Sequence, residues 1–206
     1  MYLSRLQLNP KSRLARHDFA SGYQMHRTLS RAFPDADQGG CGKVLFRAEM
    51  QAGAGEIIVL VQSEKKPDWR AVAGRHLQYL SQPPESKPFD PAFFSGQRLR
   101  FRLRANPTRK VNGKRLGHLT AEHQQSWFER KGEHCGFAVQ GVMIRSNGLQ
   151  KDEGKSGPNE MTFVDVTFDG VLEVTDPERF GRAVREGIGS GKGVGFGLLS
   201  VAPAGG

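Results

Sequence analysis

Residues 2 to 8, YLSRLQL, alternate apolar and polar side chains, the period-two pattern of a half-buried strand. Asn9-Pro10 ends that run, and a basic loop is expected to follow. From about Ser21 to Ala32 the period changes. Met25, Leu29 and Ala32 fall at i, i+4 and i+7, the stripe of an amphipathic helix, which Pro34 and the DADQGGCG segment terminate. KVLFRAEM (43 to 50) and EIIVLVQS (56 to 63), separated by QAGAG, predict a β-hairpin. Pro67-Asp68-Trp69 opens a short helix, and a fourth strand is expected around His76 to Leu80. The order βαββαβ is that of a ferredoxin-like unit.

QPPESKPFDPAFFSGQ (82 to 97) has four prolines and no long apolar run, so it reads as a linker or wrapping segment. The pattern then begins again. QRLRFRLRA predicts a strand, TAEHQQSWFERKGEHC a helix, and GFAVQGVMIRS and MTFVDVTFDGVLEV two strands. DPERFGRAVREGI predicts a helix with Asp176 as N-cap and Pro177 at its first position, and FGLLSVAP closes the series as a strand. The expected fold is therefore α+β, two tandem ferredoxin-like (RRM-like) domains, residues 1–88 and 89–206.

Charge narrows the range of partners. Thirty Lys and Arg against 21 Asp and Glu give +9 over 206 residues. Residues 1 to 90 carry 13 basic and 9 acidic side chains, residues 91 to 150 carry 11 and 3, and residues 151 to 206 carry 6 and 9. The excess sits in the middle third, a localised positive field that favours a polyanion, nucleic acid before acidic membrane. No run approaches the roughly 18 apolar residues of a membrane span. The N-terminus lacks the apolar core and cleavage site of a signal peptide. Cys41 and Cys135 stand far apart without metal-ligand spacing, as free thiols in a reducing cytoplasm would.

Within the basic third, Leu99, Phe101, Leu103 and Ala105 share one strand face while Arg98, Arg100, Arg102 and Arg104 share the other. Four guanidinium groups on one face need offsetting charge, either phosphates, whose oxygens match the guanidinium fork, or carboxylates of a neighbouring strand. Arg109, Lys110, Lys114 and Arg115 follow directly and add to a nucleic-acid-binding reading. GIGSGKGVGFG (187 to 197) has glycine at every odd position. It is not a nucleotide-binding loop, because GxGxxG and GxxxxGK both need glycines five apart and no Ser or Thr follows Lys192. What it offers is backbone freedom and amides able to approach a phosphate chain. Tyr23 and His26 lie three residues apart on the first predicted helix. On the residues alone they are either a reactive pair or two polar side chains on an ordinary helix.

Two ferredoxin-like units ending in Gly187-Ile188-Gly189, five residues and Gly195-Phe196-Gly197 resemble the repeat-associated RNA-binding superfamily of CRISPR systems. MYLSRLQLNP, the YxMHRTLSRAF segment, FRLRANPTRK and GKGVGFGLLSVAP together are similar to the CasE family, the type I-E endoribonucleases that process CRISPR repeat RNA. The resemblance implies that Tyr23 and His26 are the active-site pair of a metal-independent ribonuclease without cofactor. The reaction would be attack of a ribose 2′-hydroxyl on the adjacent phosphate, leaving a 2′,3′-cyclic phosphate and a 5′-hydroxyl. A histidine titrating near pH 6.5 can act there as acid or base. Arg27 and Arg31 become candidates to hold the phosphate, and Lys151 and Lys155 candidates for a basic hairpin reaching the RNA groove. Arg98 to Arg104, the basic stretch after them, Lys192 and the glycine loop would bind RNA as well. The implied partners are a repeat stem-loop and other subunits of a type I-E surveillance complex, in the cytoplasm and away from membranes. A non-catalytic RNA-binding subunit of the same superfamily would share all of this except a reason for Tyr23 and His26. A general RRM module would need an exposed aromatic K/R-G-F/Y-G/A-F-V-x-F/Y element, which neither central strand supplies.

Overall fold

The computed structural model describes residues 1–51, 53, 55–74, 78–153 and 160–205. By packing, the chain forms two units. The first comprises residues 1–90 with 152–160 and 193–195; the second comprises 91–151, 161–192 and 196–206. The pattern-based division is a single cut after residue 88, whereas the first unit also contains two short segments from late in the chain.

In the first unit the chain runs β1 (Tyr2–Leu8), α1 (Arg13–Ala20), α2 (Gly22–Ser30), β2 (Val44–Met50), β3 (Ile57–Ser63), α3 (Arg70–Ala73) and β4 (Glu85–Pro88). The sheet order is β2-β3-β1-β4 with antiparallel pairing throughout, the ferredoxin-like arrangement. Leu6, Leu8, Phe46, Val59 and Val61 of the sheet pack on Ala15, Met25 and Leu29 of the helices, which is where the period-two and period-3.6 stripes meet.

Two expectations are corrected here. The segment after Asn9-Pro10 is not a loop but α1, begun by Ser12, whose Oγ accepts the Ala15 N–H at 3.4 Å. Its core-facing stripe of Leu14, Ala15 and Phe19 is short and shares its side with the buried carboxylate of Asp18, so it reads weakly among the Arg and His around it. The fourth strand expected around His76 to Leu80 falls partly on residues 75–77, which lie outside the described residues, and its described part, residues 78–80, belongs to no strand. Leu80 makes only an isolated bridge to Leu8. β4 is instead drawn from the proline-rich segment, pairing Arg5 with Glu85 and Tyr2 with Pro88. It is an edge strand exposed along its whole length, so it needs no alternation and tolerates proline.

The second unit runs β5 (Arg98–Ala105), β6 (Thr108–Val111), β7 (Lys114–Gly117), α4 (Ala121–Cys135), β8 (Phe137–Glu153), β9 (Glu160–Val174), α5 (Pro177–Glu186) and β10 (Leu199–Pro203). Its main sheet has the order β10-β5-β9-β8, again ferredoxin-like. Leu99, Phe101, Leu103 and Ala105 of β5 are buried as the alternation requires. Phe128 of α4 stacks on Phe101 and Phe168 with ring centroids 5.1 and 4.8 Å away. Thr120 caps α4 and Asp176 caps α5, with Pro177 at its first turn. The separate β6-β7 hairpin was not expected. Its turn is Asn112-Gly113, at φ +47° and +79°, the dipeptide that two-residue hairpins favour. Among the described residues no helix is long and apolar enough to cross a membrane.

A buried polar knot fixes α1 and α2 beneath the first sheet. Asp18, 2% exposed, accepts hydrogen bonds from Thr28 Oγ1 at 2.7 Å and from the Tyr79 hydroxyl at 2.9 Å. Burial, then the nearby Asp18 charge, pushes the Tyr79 phenol far above its ordinary range, so it remains a donor. We expect Tyr79→Phe to lower unfolding free energy by about 1.5–3 kcal/mol, the contribution of a hydrogen bond to a charged group. Urea denaturation measures this, and an unchanged midpoint would mean that Asp18 does not need the hydroxyl.

Candidate functional site

Helix α2 starts at a carboxylate that uses both of its oxygens. Ser21, in extended conformation, is the N-cap, and its Oγ accepts the Gln24 N–H at 3.2 Å. The same hydroxyl donates to Asp152 Oδ1 at 2.8 Å, while Asp152 Oδ2 accepts the Tyr23 N–H at 3.1 Å. Asp152, 3% exposed, comes from the end of β8. Gly22 lies against the backbone of Val194, and a Cβ at that position would collide with the Val194 carbonyl. Thus the first turn of α2 is held by two residues from late in the chain. Asp152 was missed in the sequence, where only the lysines of GLQKDEGKSG stood out.

Tyr23 and His26 lie one turn apart on α2, both half-buried. The Arg27 guanidinium sits over the Tyr23 ring, 5.9 Å from its centroid, and also donates to Gln24 Oε1 at 3.2 Å. Arg31 is the half-buried C-cap of the helix. The His26 ring lies 6.4 Å from that of Phe46, and its Nδ1 is 3.4 Å from Ser30 Oγ. Burial pushes His26 below its ordinary pKa of 6.5. At neutral pH the imidazole is therefore mainly uncharged, with one N–H and one lone pair.

The arginine strand turns out differently from its phosphate reading. Arg102 is paired with Asp169, 2.6 Å from Nε to Oδ1, and Arg104 with Asp165, 2.7 Å from Nη2 to Oδ2. Arg104 also reaches Gln150 at 2.8 Å and lies 5.0 Å over the Phe196 ring. Carboxylates of the adjacent β9 offset these two charges, the alternative to phosphates that the strand pattern left open. Arg98 and Arg100 remain exposed on the same strand.

The hairpin presents Arg109, Lys110, Lys114 and Arg115 to solvent. A cavity of about 440 Å³ brings Lys110 and Arg115 together with Lys131, Lys192, Gly187 and Gly189. Among the described residues no carboxylate lines it. Lys151 is exposed, and Lys155 lies outside the described residues. The glycine stretch is a packed segment rather than an open row of amides. Ile188, Val194, Phe196 and Leu198 are buried, and the N–H of Gly197, at φ +90°, donates to the Arg104 carbonyl at 2.8 Å. The N–H groups of Gly187, Ile188 and Phe196 are likewise used within the fold. Gly195 and Gly197 are buried, which corrects the expectation that their amides are open to a phosphate chain.

A family model described as CRISPR associated protein matches residues 1–203. The chain is 42% identical over 215 residues to the CRISPR-associated endoribonuclease Cse3 of Thermus thermophilus, covering 98% of this chain and 100% of that protein. It is 32% identical over 196 residues to the CRISPR system Cascade subunit CasE of Escherichia coli (strain K12), covering 88% of this chain and 92% of the relative. Among solved structures, Thermus thermophilus Cse3 bound to an RNA representing a pre-cleavage complex matches with a TM-score of 0.84 and 42% identity, covering 98% of each chain.

The lowered pKa of His26 carries a stability consequence. Below pH 6.5 the unfolded chain binds the His26 proton more readily than the folded one, so stability falls as pH drops through and below that value. We expect the wild type to lose stability relative to His26→Gln between pH 8 and about pH 5, measured by urea denaturation. Parallel curves for the two proteins would show that burial does not disfavour the imidazolium.

Proposed function

Because the chain belongs to the CRISPR-associated protein family, and within it to the CasE type, we propose that it is an endoribonuclease that cuts precursor transcripts at a CRISPR repeat stem-loop to release guide RNAs. The observation that carries this reading is that His26 and Tyr23 lie one helical turn apart on α2, both half-buried. The nucleophile is the RNA's own 2′-hydroxyl. Its oxygen bonds to the adjacent phosphorus, the bond to the 5′-oxygen breaks, and the products are a 2′,3′-cyclic phosphate and a 5′-hydroxyl. One proton leaves the 2′-oxygen and one arrives on the 5′-oxygen, so the site needs an acceptor and a donor but no activated water or divalent ion. His26, uncharged at neutral pH, is suited to accept the first proton. Tyr23, one turn before it on the same helix, supplies an O–H to bond to the phosphate or the leaving oxygen, and Arg27 on that helix and Arg31 at its C-cap are the cations assigned to offset charge on the phosphorane.

RNA is held by the β6-β7 hairpin through Arg109, Lys110, Lys114 and Arg115, and by Lys192, Gly187 and Gly189 at the adjoining cavity. Arg98, Arg100 and Lys151 add exposed positive charge. The Escherichia coli relative bears the name of a Cascade subunit, and we extend that role to this chain as a component of a type I-E surveillance complex.

Replacing the 2′-hydroxyl by hydrogen at the nucleotide 5′ of the cut is expected to abolish cleavage while leaving binding intact, in EDTA and with products read by mass. Cutting of the deoxy substrate at the all-ribose rate would exclude 2′-hydroxyl attack. His26→Ala should lower the single-turnover rate by about 100- to 10,000-fold with little change in RNA affinity. Retained activity would favour a non-catalytic RNA-binding subunit. Arg109→Ala with Lys110→Ala should flatten the log–log salt dependence of binding by about 0.7–0.9 for each phosphate that is no longer neutralised. An unchanged slope would move the RNA away from the hairpin.

A further inference from the structure

Ser30 ends α2 one turn after His26, and its hydroxyl has two neighbours on that residue. It lies 2.8 Å from the His26 carbonyl oxygen and 3.4 Å from Nδ1 of the ring. A serine hydroxyl has a single proton to donate. A carbonyl oxygen is only an acceptor, so the shorter contact takes that proton, as late-helix serines bonding back to residue i−4 do. The remaining contact is satisfied only if Nδ1 carries hydrogen and donates to a lone pair on Ser30 Oγ. Among the described residues no other side chain hydrogen-bonds to the His26 ring, and Phe46, on its flank, offers no polar group.

We infer that Ser30 is a positioning residue that holds neutral His26 as its Nδ1–H tautomer and so leaves Nε2 as the proton-accepting nitrogen of the site. The link to catalysis rests on the reading of His26 as the base; the tautomer itself does not. Free histidine side chains favour the opposite tautomer, in which Nε2 carries the hydrogen and has no lone pair to offer. Whichever hydrogen bond one ring nitrogen makes decides the state of the other. The bond is long and correspondingly weak, so its effect is a bias in population and ring orientation rather than an absolute lock.

Nitrogen-15 NMR of histidine-labelled protein at pH 8 tests the tautomer directly, with the His26 signals assigned by their loss in His26→Gln. The expected result is a pyrrole-type Nδ1 and a pyridine-type Nε2. Ser30→Ala should move both signals toward the opposite tautomer, and Ser30→Thr, which keeps the hydroxyl, should retain the wild-type pattern. Alanine is the best helix former, so Ser30→Ala is expected to fold, which its unfolding midpoint checks. In single-turnover cleavage Ser30→Ala should fall about 3- to 10-fold, the range one modest hydrogen bond commands, with unchanged RNA affinity and with recovery in Ser30→Thr. A pyridine-type Nδ1 in the wild type, or a Ser30→Ala spectrum identical to it, overturns the tautomer assignment. A shifted tautomer with undiminished cleavage overturns the catalytic link. Full activity in His26→Ala would instead defeat the reading of His26 as base, and the spectra would still decide the tautomer.

Discussion

The carboxylate of Asp152 reaches the N-terminus of α2 from a position 129 residues after Tyr23, and both of its oxygens are used there. A helix N-terminus presents unsatisfied N–H groups and partial positive charge, so a buried anion is stabilised where it would elsewhere be costly. Two charge-assisted bonds, each contributing about 1.5–3 kcal/mol, set where the helix begins. Since side-chain direction on a helix follows from its starting point, the orientation of Tyr23 and His26 depends on this contact. Asp18 does the complementary work on the buried side, through Thr28 and Tyr79.

Much of this architecture was legible as pattern. Leu99 to Ala105 alternate into a core, Met25 and Leu29 form a stripe, and Asp176-Pro177 announces a helix, because each signal is local and period-bound. The missed elements share a physical cause, which is that they bury little. α1 fully hides only Ala15 and Asp18, with Leu14 and Phe19 half-covered among basic residues, β4 is exposed along its length, and the β6-β7 hairpin rests on a turn rather than on an apolar face. Asn112-Gly113 was a readable sign of that hairpin. The site was legible only through resemblance, for nothing local separates a reactive Tyr-His pair from two polar helix residues. Asp152 had no sequence signal, since its partners lie over a hundred residues away. Ser30 stood in plain view at i+4 from His26, but a hydroxyl there is ordinary until its two distances are known.

The arginine strand makes a related point about charge. Four guanidinium groups in a row invite a polyanion, yet the register of β5 on β9 puts Arg102 across from Asp169, and Asp165 lies within reach of Arg104. Strand register is a non-local property, so internal neutralisation cannot be read from the strand that carries the cations. The hairpin differs because it pairs only with itself, Lys110 opposite Arg115 and Val111 opposite Lys114. The one facing pair that is basic on both sides, Lys110 and Arg115, disfavours the ribbon by self-repulsion. An anion placed there would relieve that repulsion, whereas Arg102 and Arg104 already have carboxylates beside them.

The first packed unit is assembled from residues 1–90 together with 152–160 and 193–195. A ribosome makes the chain from its N-terminus, so the sheet and the stripe of α2 are available for packing well before Asp152 and Val194 exist. During that interval the first turn of α2 lacks its carboxylate anchor and Gly22 has no backbone lying against it. The first turn of the helix that bears Tyr23 and His26 thus gains its full set of neighbours only once residue 194 has been made. A product truncated before Asp152 lacks the carboxylate that holds the first turn of α2, whatever the state of the sheet beneath it.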